Sequence, residues 1–317
     1  MLRFYDVDIS EPMALGLGSG LFFSHMPFIT LGGIAVTSFR PLPGHIFKLV
    51  MKRLKIKVKS KRFLNPDKSM RALDALLKQG KPVGTVVGVF YLPYFPKEYR
   101  FHFNAHNLCV FGKEDDKYIV SDPVVIKPEE LTYDEFKRVR YAEGTYPPYG
   151  KMYWISKLPD EKVDLKKAVY KAVNLNCKRM LDIPVPFFGV KGIKLLASRM
   201  RKWEKKSGEK KALLNLAQVI RMLEEIGTGG AGFRFMYAAF LQQAADVTGN
   251  DELKKISNEM TTAGDMWRGF SFEAARKFKN RSGDTLSYDQ LADKLIEISE
   301  KETSIFLKLR TVSESNL

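Results

Sequence analysis

The chain has 317 residues, of which 45% are hydrophobic and 28% charged, and its formal net charge is +16. The length is too great for one ordinary core and predicts two domains, and the hydrophobic share is that of a soluble globular protein. The basic excess favours acidic partners, such as an acidic carrier protein or an anionic substrate, although it serves solubility equally well. Nucleic acid is disfavoured, because the sequence has no zinc finger, RNP-type motif or recognition helix.

The cysteines and the N-terminal segment bear on the cellular compartment. Cys109 and Cys177 match neither a CxxC pair nor a zinc spacing, so we expect no disulfide framework and no metal site, and a cytoplasmic location. The first residues lack the basic and apolar regions of a signal peptide. Residues 13–36 form the most apolar window, but its glycines, His25 and Pro27 argue against a membrane span.

The glycine-rich loop GLGSG follows a predicted helix end and acidic loop at residues 1–11. Glycines permit close backbone approach, so the loop is a candidate for lining a substrate site. A tight buried loop is the alternative, and the spacing is not that of a dinucleotide fingerprint. The candidate substrate-binding residues here are Gly16, Gly18, Ser19 and Gly20.

Three predicted elements follow. Residues 48–62 hold eight basic residues and no acidic one, and their alternation predicts a strand with one basic face, either solvated or docking an acidic partner. Residues 67–79 predict an amphipathic helix capped by Asp67. Residues 83–95 predict a buried strand that ends in an aromatic loop.

A predicted β-hairpin at residues 106–123 brings a histidine and an aspartate together. Two β-like runs flank a polar turn, and a turn centred near Glu114 would place His106 opposite Asp122. A carboxylate beside an imidazole fixes its tautomer and favours its protonated form, as a general base requires. A structural histidine is the alternative, since a register slip of one residue would separate the pair.

The loop at residues 92–105, before the hairpin, carries His102, a further candidate for substrate binding. Its spacing from His106 does not predict a metal site, because the surroundings are extended and no acidic ligand is adjacent. After the hairpin, residues 131–140 predict a short helix and residues 151–158 a final strand.

Beyond Pro159 the sequence predicts an all-α domain of five or six helices. Asp164 caps the first, which runs to about Leu181, and residues 193–206 form the second. A third starts at Ser207 and runs to Glu225, and an apolar helix lies within residues 228–248. Two long helices follow, capped by Asn250 and by the Ser287–Gln290 capping box.

A second glycine-rich segment precedes the apolar helix. Gly229, Gly230 and Gly232 at a helix start, with Arg234 close behind, could present backbone N–H groups to a phosphate or carboxylate. The candidate substrate-binding residues here are Gly229, Gly230 and Arg234. Close helix packing is the alternative, and the absence of a Walker lysine disfavours nucleotide hydrolysis.

Four segments together carry a family resemblance: GLGSGLFF, the LPYF loop leading to HFNAH, the hairpin ending in SDP, and GTGGAGFRFMYAAFL. In combination they resemble the butirosin biosynthesis H family. The resemblance implies an α+β fold, with a papain-like (C39-peptidase-like) domain at residues 1–158 and an α-helical domain at residues 159–317. It also implies acyl transfer from an acyl carrier protein thioester to an amine.

In the papain-like scheme, the resemblance assigns His106 the role of general base and Asp122 that of orienting acid. The family's cysteine lies in a His-Cys motif at a helix start that would precede Met1, so this sequence departs from the family pattern there. Cys109 would point to the opposite sheet face from His106, and Cys177 lies in a predicted helix of the second domain. Three explanations stay open: an in-frame upstream segment, direct amine attack without an acyl-enzyme, or a non-catalytic binding protein.

The sequence therefore predicts a cytoplasmic acyltransferase of specialised metabolism. We expect its partners to be an acidic acyl carrier protein and a small-molecule amine, with no cofactor other than a phosphopantetheine-linked acyl donor. A thiol peptidase or amidase is the enzymatic alternative, and an inactive binding module is the alternative of another class. The sequence leaves the acyl group and the oligomeric state open.

Overall fold

The computed structural model describes residues 1–42, 44–97, 100, 102–144, 146–225, 229–279 and 285–317. Residues 98, 99 and 101 of the predicted loop 92–105, and residue 228 at the start of the predicted glycine-rich segment, lie outside this described part. In chain order, the helices and strands are α1 (Glu11–Leu17), β1 (Ser24–Leu31), β2 (Ile34–Ser38), α2 (His45–Arg53), β3 (Lys57–Lys61), α3 (Pro66–Leu77), β4 (Val83–Val87), β5 (His106–Glu114), β6 (Lys117–Ser121), β7 (Glu129–Thr132), α4 (Tyr133–Arg140), β8 (Met152–Lys157), α5 (Leu165–Leu181), α6 (Gly189–Met200), α7 (Trp203–Ser207), α8 (Glu209–Glu224), α9 (Arg234–Thr248), α10 (Asp251–Phe278) and α11 (Tyr288–Glu314).

The described residues divide into two compact units. The sheet unit contains Met1–Ile9 and Lys55–Lys162, and the helical unit contains Ser10–Leu54 and Val163–Leu317. The predicted α+β fold class, with a helical C-terminal part, is confirmed.

The sheet unit is built on a six-stranded antiparallel sheet with the strand order β3-β8-β4-β5-β6-β7. β4 is buried along its whole length because it lies inside the sheet, beside α3 and α4. In β5, Leu108 and Val110 join the buried core. Since side chains alternate along a strand, His106 at the start of β5 faces the same side as these two residues.

Local capping fixes where the two helices of the sheet unit begin. The Asn65 side chain accepts a hydrogen bond from the N–H of Lys68 at 2.8 Å and so caps α3, with Pro66 in its first turn. Thr132 and Glu135 form a capping box at the start of α4. The predicted cap at Asp67 is therefore two residues late.

The helical unit packs a two-stranded antiparallel hairpin, β1–β2, and α1 and α2 with the seven helices α5–α11. α10 packs against α9 and α11, and β1 and β2 pack against α6 and α8 respectively. Asn250 and the Ser287–Gln290 capping box start α10 and α11 as predicted, and Asp164 caps α5. None of the described helices combines the length and apolar character that crossing a bilayer requires.

The boundaries of the two compact units agree only in part with the predicted division of the chain at residue 158. The second part of the helical unit starts at Val163, close to the predicted boundary, but Ser10–Leu54 also belong to this unit. The reason is packing, because Gly16 in α1 lies directly against the ring of Phe240 in α9. A contact between residues so far apart in sequence has no signal in local composition.

Several predicted elements differ in their bounds. Residues 2–5 form a short 3₁₀ helix, and the predicted strand at 48–62 is β3 alone, because Val50, Met51 and Leu54 are buried at helical spacing in and just after α2. The predicted strand at 83–95 ends at Val87. A 3₁₀ turn follows it.

The predicted helix at residues 193–206 is two helices, α6 and α7. Ser207 does not cap α8, because Gly208, with φ of 76°, occupies the N-cap position. The region after Pro159 thus contains seven α-helices within the described residues, more than the predicted five or six.

Candidate active site

The β5–β6 hairpin brings His106 and Asp122 into direct contact. His106 Nε2 lies 2.7 Å from Asp122 Oδ2, which confirms the predicted proximity. The predicted register is wrong, because the turn lies at Asp115 and Asp116 and Cys109 pairs with Ser121. If this pairing continues by one residue, Leu108 lies opposite Asp122, and His106 is a diagonal neighbour of Asp122. A histidine side chain can span the distance between diagonal neighbours.

The Asp122 carboxylate is enclosed and holds three hydrogen bonds. Its side chain is fully buried, and Oδ2 accepts from His106 and from the Tyr94 hydroxyl at 2.8 Å. Oδ1 accepts from the backbone N–H of Val124 at 2.9 Å. With three donors converging on it, the carboxylate is held in one orientation.

These contacts decide the ionisation of Asp122. Burial alone would raise the pKa of its carboxyl. The hydrogen bond and charge of His106, together with the bonds from Val124 and Tyr94, outweigh burial, so the pKa of Asp122 lies below its ordinary value. Burial and the neighbouring Asp122 charge raise the pKa of Tyr94, which keeps its hydroxyl protonated as a donor.

The contact with an ionised carboxylate also sets the roles of the two imidazole nitrogens. A neutral His106 donates its Nε2–H to Asp122, which leaves Nδ1 with the lone pair. Within the described part of the chain, Nδ1 has no hydrogen-bond partner. The side chain is 12% exposed, and Phe95 meets the ring edge-on at 5.7 Å. This arrangement suits a base that exchanges a proton with a group arriving at Nδ1.

Cys109 has surroundings that do not fit a nucleophile for His106. It lies between Leu108 and Val110, whose side chains enter the core, so its own side chain takes the other sheet face. Burial raises the pKa of the Cys109 thiol, although the Met1 amino group acts in the opposite direction. A thiol with a raised pKa is a poor nucleophile.

Cys177 is fully buried in α5 of the helical unit. Burial raises the pKa of its thiol to about 12. Both free cysteines thus have the character of packed apolar residues.

His102, predicted as a substrate-binding residue, belongs to the same unit as the pair. Its exposed ring stacks on Phe90, with ring centroids 4.1 Å apart. Phe90 is itself 37% exposed. The two rings form an accessible aromatic surface, and the substrate role of His102 stays a prediction.

The predicted glycine-rich loop, residues 16–20, includes the end of α1 and is a packed part of the helical unit. A Cβ on Gly16 would lie 2.0 Å from the Phe240 ring, and one on Gly18 would lie 2.3 Å from Ile46. Gly20 is similarly close to Leu15. These contacts favour the alternative of a tight buried loop.

Ser19 lies in the middle of the same loop and is fully buried. Its hydroxyl donates to the Ala172 carbonyl at 2.9 Å. Because the Ser19 hydroxyl already donates its proton to this carbonyl, it is not free to donate to a substrate. The structure therefore does not support a substrate-binding role for Ser19.

Arg234 does not offer its guanidinium to a substrate. It is fully buried, and its Nε and Nη2 donate to Glu302 at 2.8 and 3.0 Å. Nη1 donates to the Gly232 carbonyl at 2.8 Å, and Trp267 donates to the same carboxylate at 2.7 Å. The structure does not support the predicted role of Arg234 in anion binding, because Glu302 and the Gly232 carbonyl together engage all three nitrogens.

The adjacent glycines are also structural. Gly229 and Gly230 have φ of 64° and 85°, which glycine adopts readily. A Cβ on Gly230 would lie 2.3 Å from the Arg268 guanidinium. These features match the alternative of close helix packing.

Tyr94 is the part of the site that the sequence did not predict. It lies in the aromatic LPYF segment, which the sequence identified only as a loop after the buried strand. A hydroxyl aimed at Asp122 from 28 residues away leaves no periodic or spacing signal.

Comparisons with known proteins agree with the predicted resemblance. Residues 1–123 match the family described as Butirosin biosynthesis protein H, N-terminal. Residues 134–309, more than half of the chain, match the Domain of unknown function (DUF4872). No curated protein matches the chain.

Among solved structures, the chain is similar to a candidate C39-like peptidase from Bacillus anthracis, at 14% sequence identity and a TM-score of 0.28. That similarity covers 39% of this chain and 64% of the other, so this chain spans less than two thirds of that structure's length. A likeness of this size carries no argument about activity.

Proposed function

Because this chain belongs to the butirosin biosynthesis protein H family, we propose that it is a papain-like biosynthetic enzyme that transfers an acyl group from a thioester to an amine. The observation that carries the proposal is the 2.7 Å contact between His106 Nε2 and the buried carboxylate of Asp122. The proposed donor is an acyl group on the phosphopantetheine of an acidic carrier protein, and the acceptor is a small amine.

In the proposed reaction, His106 manages the protons. The amine nitrogen attacks the thioester carbonyl, a C–N bond forms and the C–S bond breaks. His106 Nδ1 takes the proton that the amine loses and returns it to the departing thiolate, so the reaction is balanced without an oxidant or a metal. Asp122 stabilises the imidazolium that forms in between.

The same base serves either form of attack. A thiol that first takes the acyl group and an amine that attacks directly both lose one proton to Nδ1. The described cysteines do not support the covalent route, because Cys109 faces the other side of the sheet and Cys177 is buried in the helical unit. Direct attack is the form of the proposal that uses the described residues alone.

Incubation of the protein with acyl thioesters and a panel of amines tests the proposal. We expect amide products by mass spectrometry, with thiol released in equal amount. His106→Ala should lower the rate by about 10²- to 10⁴-fold, the usual contribution of a general base. Acid released without amide would indicate thioester hydrolysis, since water would then be the acceptor, and cleavage of an amide or peptide substrate in a parallel assay would indicate the amidase or peptidase alternative.

His45→Ala is the matched control, because it removes an imidazole from the helical unit. His45 contacts Arg179 there and has no part in the proposed chemistry. Equal rates for the wild type, His106→Ala and His45→Ala would contradict the assigned base. A protein without turnover that still binds the amine would instead be the inactive binding module.

A further inference from the structure

The helical unit contains a cavity of about 340 Å³ that the proposed acyl transfer does not use. The β1–β2 hairpin lines one side of it, and α6, α7 and α8 line the other. A volume of this size is at the lower end of the range for small-molecule sites. We call this cavity the basic pocket, because Arg199, Lys202, Lys206 and Lys211 line it.

Basic side chains surround the pocket. The cations that line it are Arg199, Lys202, Lys206 and Lys211. All four are exposed, and within the described residues none of them forms an ion pair or a side-chain hydrogen bond. Among the residues that the structure describes, no carboxylate lines the pocket. Like charges gathered in this way repel one another, and a bound anion would neutralise them.

A buried histidine with an unused nitrogen also lines the pocket. His25 is 1% exposed, and its Nδ1 lies 2.9 Å from the Thr37 hydroxyl. Its Nε2 is buried and has no hydrogen-bond partner among the described residues. Buried polar atoms are nearly always satisfied, so an orphaned one on a residue that lines a cavity points to a missing partner.

The surroundings keep His25 neutral at neutral pH. Burial, and secondarily the charge of Arg199, lower the pKa of its imidazole to about 4. If the Thr37 hydroxyl donates to Nδ1, the proton of the neutral ring resides on Nε2. In that tautomer Nε2 is an N–H donor without a described partner, on a residue that lines the pocket.

From the cations and the orphaned nitrogen of His25 together, we propose that the basic pocket binds the phosphate group of a small phosphorylated metabolite. Several cations around one small volume favour a group with more than one negative charge, as a phosphate monoester has, over a carboxylate. Thr30, Ser198 and Asn215 also line the pocket and add hydroxyl and amide donors. The pocket takes a small ligand, whereas a nucleic acid would follow an extended basic surface.

Isothermal titration calorimetry with inorganic pyrophosphate tests the proposal on the full chain. We expect binding at one site per chain, and at least about tenfold weaker binding by Lys202→Gln/Lys206→Gln. Both lysines are exposed, so this variant should fold. The control, Lys166→Gln/Lys254→Gln, removes the same charge from exposed positions outside the pocket and should bind as the wild type does.

His25 supplies a second readout. Titration with pyrophosphate should shift the His25 Nε2 resonance in an imidazole ¹⁵N spectrum, and His25→Ala, checked for folding by circular dichroism, should bind more weakly. Equal weakening in the two lysine variants would show diffuse surface charge and overturn the proposal. Absence of binding by the wild type, or an unmoved His25 resonance, would overturn it as well.

Two further arms identify the source of the phosphate. A sugar phosphate and 4′-phosphopantetheine are each compared with their dephosphorylated forms, and loss of binding on dephosphorylation supports the assignment. The phosphate ester that displaces pyrophosphate more effectively identifies the source. A short oligonucleotide that binds equally to the wild type and Lys202→Gln/Lys206→Gln, with no small phosphate binding, would contradict a small-molecule pocket.

Discussion

At the scale of single residues, Asp122 is a buried carboxylate that stays ionised because three donors converge on it. Asp122→Asn removes the charge while keeping the shape of the side chain. We expect the free energy of unfolding to fall by about 1.5 to 3 kcal/mol, the size of a hydrogen bond to a charged group. Urea unfolding measures this change. Asp116→Asn, at an exposed position in the turn of the same hairpin, is the control.

The pH dependence of that difference has a definite sign. The pKa of Asp122 is lowered in the folded protein, so its stabilising contribution is complete above the unfolded value of about 3.9 and is lost as the pH falls through the folded value. The gap in stability between the wild type and Asp122→Asn should therefore close as the pH falls below about 3.9 and the folded Asp122 becomes protonated. A gap that stays unchanged through this acid range would contradict the assigned ionisation.

The His106–Asp122 contact was accessible from the sequence, and its exact register was not. Two β-like runs and a polar turn were enough to predict that the two residues meet. The turn lies further along the chain than predicted, and the register shifts between Val110 and Gly112. The predicted contact still forms, because the side chain of His106 is long enough to reach the Asp122 carboxylate from a diagonal position.

At the scale of elements, two glycines offer opposite tests of helix packing. Gly16→Ala in α1 would place a methyl group 2.0 Å from the Phe240 ring. We expect this variant to lose about 1 to 3 kcal/mol of stability through overpacking. The midpoint and slope of urea unfolding measure this loss of stability.

Gly269 provides the matched change. It lies exposed within α10, and a Cβ there would meet no atom within 4 Å. Gly269→Ala should raise the stability by about 0.5 to 1 kcal/mol, because alanine loses less backbone entropy in a helix. Stabilisation by both substitutions would contradict the close packing of α1 on α9.

Helices with strong caps were the most predictable elements. Asn250 and the Ser287–Gln290 box start α10 and α11 as expected, since capping is a local interaction. The role of Arg234 was not predictable, because its partner Glu302 lies 68 residues away on another helix. A glycine-rich segment followed by an arginine has the same sequence signature whether it binds an anion or packs a core.

At the scale of the whole molecule, the net charge of +16 predicts salt-sensitive association with an acidic carrier protein. Lys57, Lys59 and Lys61 lie exposed on β3, an edge strand of the six-stranded sheet. We expect the Kd for such a carrier to rise about tenfold or more from low to high salt, since salt screens exposed charges. Fluorescence anisotropy with a labelled carrier measures it.

Substitution of these three lysines by glutamine should weaken binding and reduce its salt dependence. The control replaces Lys166, Lys167 and Lys254, which are exposed in the helical unit. A response to the control as large as the response to the β3 variant would place docking elsewhere.

The organisation of the whole chain was predictable only in part. Composition and periodicity separated a sheet-forming region from a helical one. They did not show that Ser10–Leu54 group with the distant helices, because that grouping depends on contacts such as Gly16 with Phe240. The basic pocket joins the β1–β2 hairpin to α6, α7 and α8 in the same unit, so it too had no signal in the linear sequence.

The base role of His106 is the central claim, and chemical rescue tests it most directly. His106→Gly should lose acyl transfer to the amine, and added imidazole should restore the rate in proportion to its concentration, with Asp122 still in place to orient it. Imidazole should leave the wild-type rate unchanged. A His106→Gly variant that transfers the acyl group as fast as the wild type would contradict the claim.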